Sequence, residues 1–252
     1  MYFIIEKPEH TERNSMSGDA RNRGQRGFSL LEMLISMAIL VLVISLAFDQ
    51  IMQLQKKAAA ESSRVDMSQQ AREFIDQTVR DLHFAGYPNA SMFATPFTVN
   101  DRWVAAGIVS VSPTRLVMEG DVNNDGQVYS VNIGYVAADP NDSNCPCIRR
   151  HAIAKAPGIP PTLQPISTSY TETDHVMPPG TANGQSGEDL FAFYDQNGNQ
   201  IDVSAGVDIG TGPQIISSIK TVKVNLSLLA NSVDPAGTPV RTSLSSTVRL
   251  NQ

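Results

Sequence analysis

Four groups of residues have types and spacings that chemistry could use. Asp121-Val122-Asn123-Asn124-Asp125-Gly126 follows the first half of a calcium loop, with oxygen ligands at alternate positions and a glycine for the turn. Its twelfth position is Asn132, so the bidentate carboxylate is missing. Asp125-Gly126 also falls between two β-rich runs, where it reads as a type I′ hairpin turn. The hairpin is the preferred reading, and Asp121, Asn123 and Asp125 stay as a weak calcium candidate. Cys145-Pro146-Cys147 is a candidate disulfide stapling a loop; a pair of thiols and an intermolecular bridge are the alternatives. Redox pairs usually have two residues between the cysteines. Zinc would need two more ligands, and His151 adds one at no recognisable spacing. The histidines His10, His83, His151 and His175 fall in no H-E-x-x-H pattern, and neither a G-x-S-x-G elbow nor a phosphate-binding glycine loop occurs. These absences point to a non-enzyme with no cofactor. The fourth feature is Glu32, a lone carboxylate inside an apolar run. Unpaired within a bilayer, it would cost on the order of 3 kcal/mol.

The elements that position these residues differ sharply in composition. Phe28–Phe48 is a run of 21 residues with only Ser29, Glu32, Ser36 and Ser45 as polar exceptions. As a helix it spans ~32 Å, enough for a bilayer core. Arg21, Arg23 and Arg26 precede it, with Asp19 as the opposing charge, so the positive-inside rule keeps the N-terminus cytoplasmic and exports everything after Phe48. From Asp49 to about Phe84 there is no Gly or Pro, and Ile51, Leu54, Ala58, Val65, Ala71, Phe74, Ile75, Val79 and Leu82 recur at helical spacing. Gly86 and Pro88 supply the stop. The spacing predicts one helix of ~85 Å.

Beyond Gly86 the chain is rich in Gly, Pro, Ser, Thr and Val. Short β-rich runs occur at Gly107–Val111, Arg115–Glu119, Val128–Val136, Ile148–Ile153, Leu190–Tyr194, Ile215–Leu229 and Val240–Leu250. Asp125-Gly126, Asn183-Gly184 and Asn197-Gly198 mark turns. Lys155–Gly187 reads as a long surface loop. Trp103 and Tyr87 are expected to pack the sheet against the helix. The net charge of −6 and the pI near 5.2 argue against a non-specific nucleic-acid binder. Two cysteines exclude a disulfide scaffold.

Gly27-Phe28-Ser29-Leu30-Leu31-Glu32, opening a long apolar helix after a basic leader, resembles the prepilin family: type IV pilins and the pseudopilins of type II secretion. The resemblance implies an α+β, type IV pilin-like fold, with a long N-terminal helix packed on a C-terminal antiparallel sheet. It implies cleavage between Gly27 and Phe28 by a prepilin peptidase and N-methylation of Phe28. Glu32 would pair with the α-amino group of Phe28, above all that of a neighbouring subunit.

The expected organisation is a basic leader (1–27), a membrane or filament-core helix (28–48), its amphipathic continuation (49–85) and an exported β-rich domain (86–252). Met16 is an alternative start that leaves a short basic leader. The mature chain would carry −7, from 14 Lys and Arg against 21 Asp and Glu. The run Val79–Tyr87, the Asp/Asn/Gly segment after Arg115 and Phe193–Asn199 are similar to PilW-type minor pilins and J-type minor pseudopilins. That likeness implies a minor, priming or tip subunit of a pilus or secretion pseudopilus. Its partners would be other major and minor pilins or pseudopilins and an inner-membrane assembly platform in a bacterial envelope. A single-pass anchored binding domain that never polymerises is the competing reading.

Overall fold

The computed structural model describes residues 28–166, 169–180 and 188–250. The leader with Gly27 and His10, and the turn signal Asn183-Gly184, lie outside the described residues. Two compact units divide between Gln50 and Ile51.

Helix α1 (Leu30–Phe84) supplies all the described secondary structure of the first unit and the first element of the second. In the first unit it is apolar on every side, and each residue from Phe28 onward is exposed. In the second unit, burial on α1 falls on Ala60, Met67, Ala71, Phe74, Ile75, Thr78, Asp81 and Leu82, a stripe at helical spacing. This corrects the first half of the expected stripe. Ile51, Leu54, Ala58 and Val65 are exposed, and Ala60 and Met67 take their place. Periodicity alone cannot say which face of the helix the sheets reach.

The β strands follow in chain order: β1 (Gly107–Ser112), β2 (Arg115–Gly120), β3 (Tyr129–Val136), β4 (Cys147–Ala154), β5 (Tyr170–Thr173), β6 (Phe191–Tyr194), β7 (Gln200–Ile201) and β8 (Val207–Asp208). A short helix, α2 (Pro213–Ser218), precedes β9 (Thr221–Val233) and β10 (Pro239–Arg249). All pairings are antiparallel. They form a six-stranded sheet in the order β5-β4-β3-β2-β1-β8 and a four-stranded sheet in the order β10-β9-β6-β7. The α+β reading, with a long apolar N-terminal helix and a C-terminal antiparallel domain, is the architecture observed.

One hydrophobic core joins α1 to both sheets. Phe74, Ile75 and Leu82 meet Leu116, Met118, Ile133 and Ile148 from the larger sheet and Phe191, Phe193, Val222 and Leu226 from the smaller. The alternation in β2 and β3 follows from the pleat: Leu116 and Met118 face inward, opposite Ile133 and Val131, while Arg115 and Val117 face outward. Asp81 of α1 reaches the same inner face, where its carboxylate accepts from Arg150 Nε of β4 at 2.9 Å and from Gln77 Nε2 at 2.8 Å. Burial holds the Asp81 carboxyl above its usual range, against the opposing pull of Arg150.

The helix ends where its backbone meets β2. Gly86, at φ +82°, donates its N–H to the Glu119 carbonyl at 2.9 Å, and Ala85 bridges Gly120. A Cβ on Gly120 would overlap the Phe84 carbonyl, so only glycine allows this approach.

Three further expectations need correction. Ile215–Leu229 is not one strand. Gly212-Pro213 starts α2, with Pro near the helix start where its missing N–H does no harm, and the strand begins only at Thr221. Lys155–Gly187 is not simply a surface loop. It begins with a buried lysine, contains β5 and includes buried Val176, which bridges Leu228. Trp103 and Tyr87 do not wedge sheet against helix. They are 39% and 47% exposed, and the Arg102 guanidinium lies 4.1 Å from the Trp103 ring centre.

Candidate assembly site

Ser29 precedes the first helical residue, and its carbonyl accepts the N–H of Met33 at 3.1 Å. This places Glu32 in the first turn of α1, where the helix dipole favours an anion. Ser36 Oγ donates to the Glu32 carbonyl at 2.7 Å, which turns that hydroxyl back onto the helix. The Glu32 carboxylate itself has no hydrogen-bond or ion-pair partner among the described residues. Around it stand Phe28, Leu31, Ile35 and Ile39, all exposed. The most apolar 18-residue window of α1 has a mean hydropathy of 2.6, none of it is buried, and the helix is long and apolar enough to cross a membrane. Glu32 is thus an acid without a partner among the described residues, on a helix segment that is exposed throughout.

The Asp121–Gly126 segment spends its oxygens on itself. Asp121 is buried; its Oδ1 accepts the Asp125 N–H at 3.0 Å and its Oδ2 accepts that of Gly126 at 2.9 Å. Asp125 accepts from the Gln127 N–H and from the Tyr129 hydroxyl at 2.7 Å, and these bonds hold its carboxyl below the usual range. The segment does connect β2 to β3, but not through a two-residue type I′ turn. Gly120 pairs with Tyr129, so the whole of 121–128 forms the loop, and the left-handed residues are Asn124 and Gly126. The capture of two N–H groups by Asp121 organises this wider loop.

Cys145 and Cys147 are bonded to each other. Their loop is tied down on both sides: Arg149 reaches Asp139 at 2.6 Å and Asp142 at 3.4 Å, and Thr171 Oγ1 donates to Asp142 at 2.9 Å. The Val176 N–H donates to the Pro146 carbonyl. Of the described histidines, His83 lies in the last turn of α1, His151 on β4 and His175 beyond β5, so they sit on three separate elements.

Two arrangements were missed by sequence reasoning. Lys155 and Glu119 form a fully buried pair at 2.5 Å, and Lys155 also donates to the Val99 and Val104 carbonyls. Glu119 Oε2 additionally accepts the Ala106 N–H at 3.0 Å, while burial pushes the carboxyl upward. The pair fastens the segment after the helix to the outward face of the larger sheet. At the other end of that face, Arg115, Asn132 and His151 come together across three strands. The outward phase of the strand alternation was the available signal.

The model described as the prokaryotic N-terminal methylation motif matches residues 22–48. No curated protein and no solved structure matches the chain. The matched stretch contains Gly27, Phe28 and Glu32 and runs to the end of the apolar segment. The chain thus carries the N-terminal motif of prepilin-type proteins, and the apolar helix and antiparallel domain that follow it support that reading.

Proposed function

We propose that the chain is a minor pilin or pseudopilin, a structural subunit whose work is assembly into a type IV pilus or secretion pseudopilus as a priming or tip component. The observation that carries this reading is the partnerless Glu32 within a methylation motif that opens a bare apolar helix. Residues 1–27 are the leader, removed by a prepilin peptidase between Gly27 and Phe28, and Phe28 is then methylated. Residues 28–48 hold the precursor in the inner membrane and later enter the filament core. Residues 49–85 continue the helix, and residues 86–252 face outward towards neighbouring subunits.

The chemistry is a pairing of opposite charges in a medium of low dielectric. Cleavage frees the α-amino group of Phe28, and methylation leaves it cationic. A neighbouring subunit's Glu32 is an anion with no partner of its own. Burying both together satisfies each and fixes the axial register of adjacent helices. Nothing in this scheme requires turnover, a metal or a nucleic acid.

Replacing Gly27 by a bulkier residue tests the processing step. The variant accumulates as unprocessed precursor when membrane fractions are weighed by mass spectrometry. Mature protein of unchanged mass would sink the reading and leave a single-pass binding domain in its place.

A further inference from the structure

We propose that the outward face of the six-stranded sheet carries a binding groove for an acidic sugar, with its carboxylate at the Arg115 end and its hydroxyls towards Ser110 and Asp208. Two adjoining recesses, of about 160 and 260 Å³, share Arg115, Asn132 and His151 as a common floor. Sheet register builds this floor: Asn132 on β3 lies between Val117 on β2 and His151 on β4, and Ser110 and Asp208 continue the row on β1 and β8. Five strands therefore contribute one line of mostly polar side chains.

His151 is the observation that points to a ligand. Its side chain belongs to a residue only 8% exposed, yet it makes no hydrogen bond or ion pair with any residue of the chain described. The ring packs against the sheet and its nitrogens open onto the two recesses, so their hydrogen-bonding capacity is left for whatever fills them. Burial, with Arg115 and Arg150 nearby, holds the ring below its usual pKa, so it meets a ligand as a neutral donor and acceptor.

Arg115 supplies the charge. Its Nε donates to Asn132 Oδ1 at 3.0 Å, which orients the guanidinium, and no carboxylate of the described residues pairs with it. Opposite Arg115 on β3 stands Gly134, whose missing side chain leaves room beside the guanidinium. Planar guanidinium donors fit a carboxylate. At the far end the chemistry reverses. Asp208 Oδ1 accepts the N–H groups of Gly210 and Thr211, which fixes a carboxylate at the edge of the recess as an acceptor for hydroxyls. Gln164, bonded to the backbone of Ala156 and Ile159, fixes the rim. An anion at one end, hydroxyls at the other and a volume suited to one ring describe a uronic-acid unit better than a simple anion.

The test uses the full chain in detergent micelles, labelled at histidine, titrated with sodium galacturonate and, separately, with galactose and sodium acetate. Galacturonate should shift the imidazole resonances of His151 and bind about tenfold or more tighter than either control. Arg115→Gln, a change at an exposed position, should abolish the shift while leaving the rest of the spectrum in place. His151→Gln identifies the resonance. The proposal is overturned if galacturonate leaves His151 unmoved, if Arg115→Gln binds as well as the parent, or if acetate or galactose alone binds as tightly.

Discussion

Glu32 and Glu119 are both carboxylates among apolar neighbours, and they are treated in opposite ways. Glu119 meets Lys155 in its own chain, and the ammonium is completed by two backbone carbonyls. Glu32 meets nothing in its own chain among the described residues. The difference separates two uses of a costly charge. A pair closed within one chain fastens a fold, whereas under the proposed function a charge left open marks where a second subunit docks. The surroundings agree: Glu119 is wholly buried, whereas every residue of α1 near Glu32 is exposed.

The comparison can be broken most forcefully at Lys155. Lys155→Ala leaves Glu119 buried without its cation and should cost about 3–5 kcal/mol in thermal or denaturant unfolding. A loss below about 1 kcal/mol would mean that the pair does not fasten the segment after the helix. Asp121→Ala should cost less, about 1–2 kcal/mol, because it frees two backbone N–H groups of the β2–β3 loop. Calcium should raise the melting temperature of the parent little; a large rise would reverse the hairpin reading of Asp121, Asn123 and Asp125.

The pH dependence sharpens the same contrast at smaller amplitude. Glu119 has a folded pKa above its ordinary value of 4.5, because burial outweighs Lys155. The folded state therefore holds the proton more tightly than the unfolded state does. Stability from this group is fully present below the ordinary value and is lost as pH rises through the raised one. Glu119→Gln should flatten that part of the stability curve, and an unchanged slope would assign it elsewhere. Smallest of all is the expected effect of Glu32→Ala on folding. The melting temperature of the β domain should not move, while assembly, scored by pilus or secretion output, fails. A variant that assembles normally would remove the open charge from the argument.

The legibility of these two sites from sequence follows from their physics. Glu32 stands out because a lone acid breaks an otherwise apolar run, a one-dimensional signal. Lys155 and Glu119 are 36 residues apart and each looks like an ordinary surface charge at a strand end. Only the three-dimensional path of the chain makes them partners. The strands around Val109, Val117, Ile133 and Phe193 were readable because alternation and β-branched content agree there. Ile215–Leu229 misled because an apolar run carries no mark of where a helical turn gives way to a strand, although Gly212-Pro213 did mark a start. Tyr170–Thr173 was hidden in polar, proline-rich sequence, where edge pairing with β4 rather than side-chain pattern makes the strand. Val65 shows the same limit on α1: its spacing was right for the stripe, but the sheets lie against another face.

The close approach at Gly120 also has a mechanical meaning. Where α1 ends, its backbone is held to β2 by the Gly86 N–H on the Glu119 carbonyl and the Asp121 N–H on the Tyr87 carbonyl, flanking the Ala85–Gly120 bridge. A pull along the helix reaches the sheet through this short backbone clamp and through the Asp81–Arg150 pair beside it, so several bonds share the load before any core side chain must slide. The absent methyl group of one glycine thus sets how firmly tension in the helix is handed to the domain.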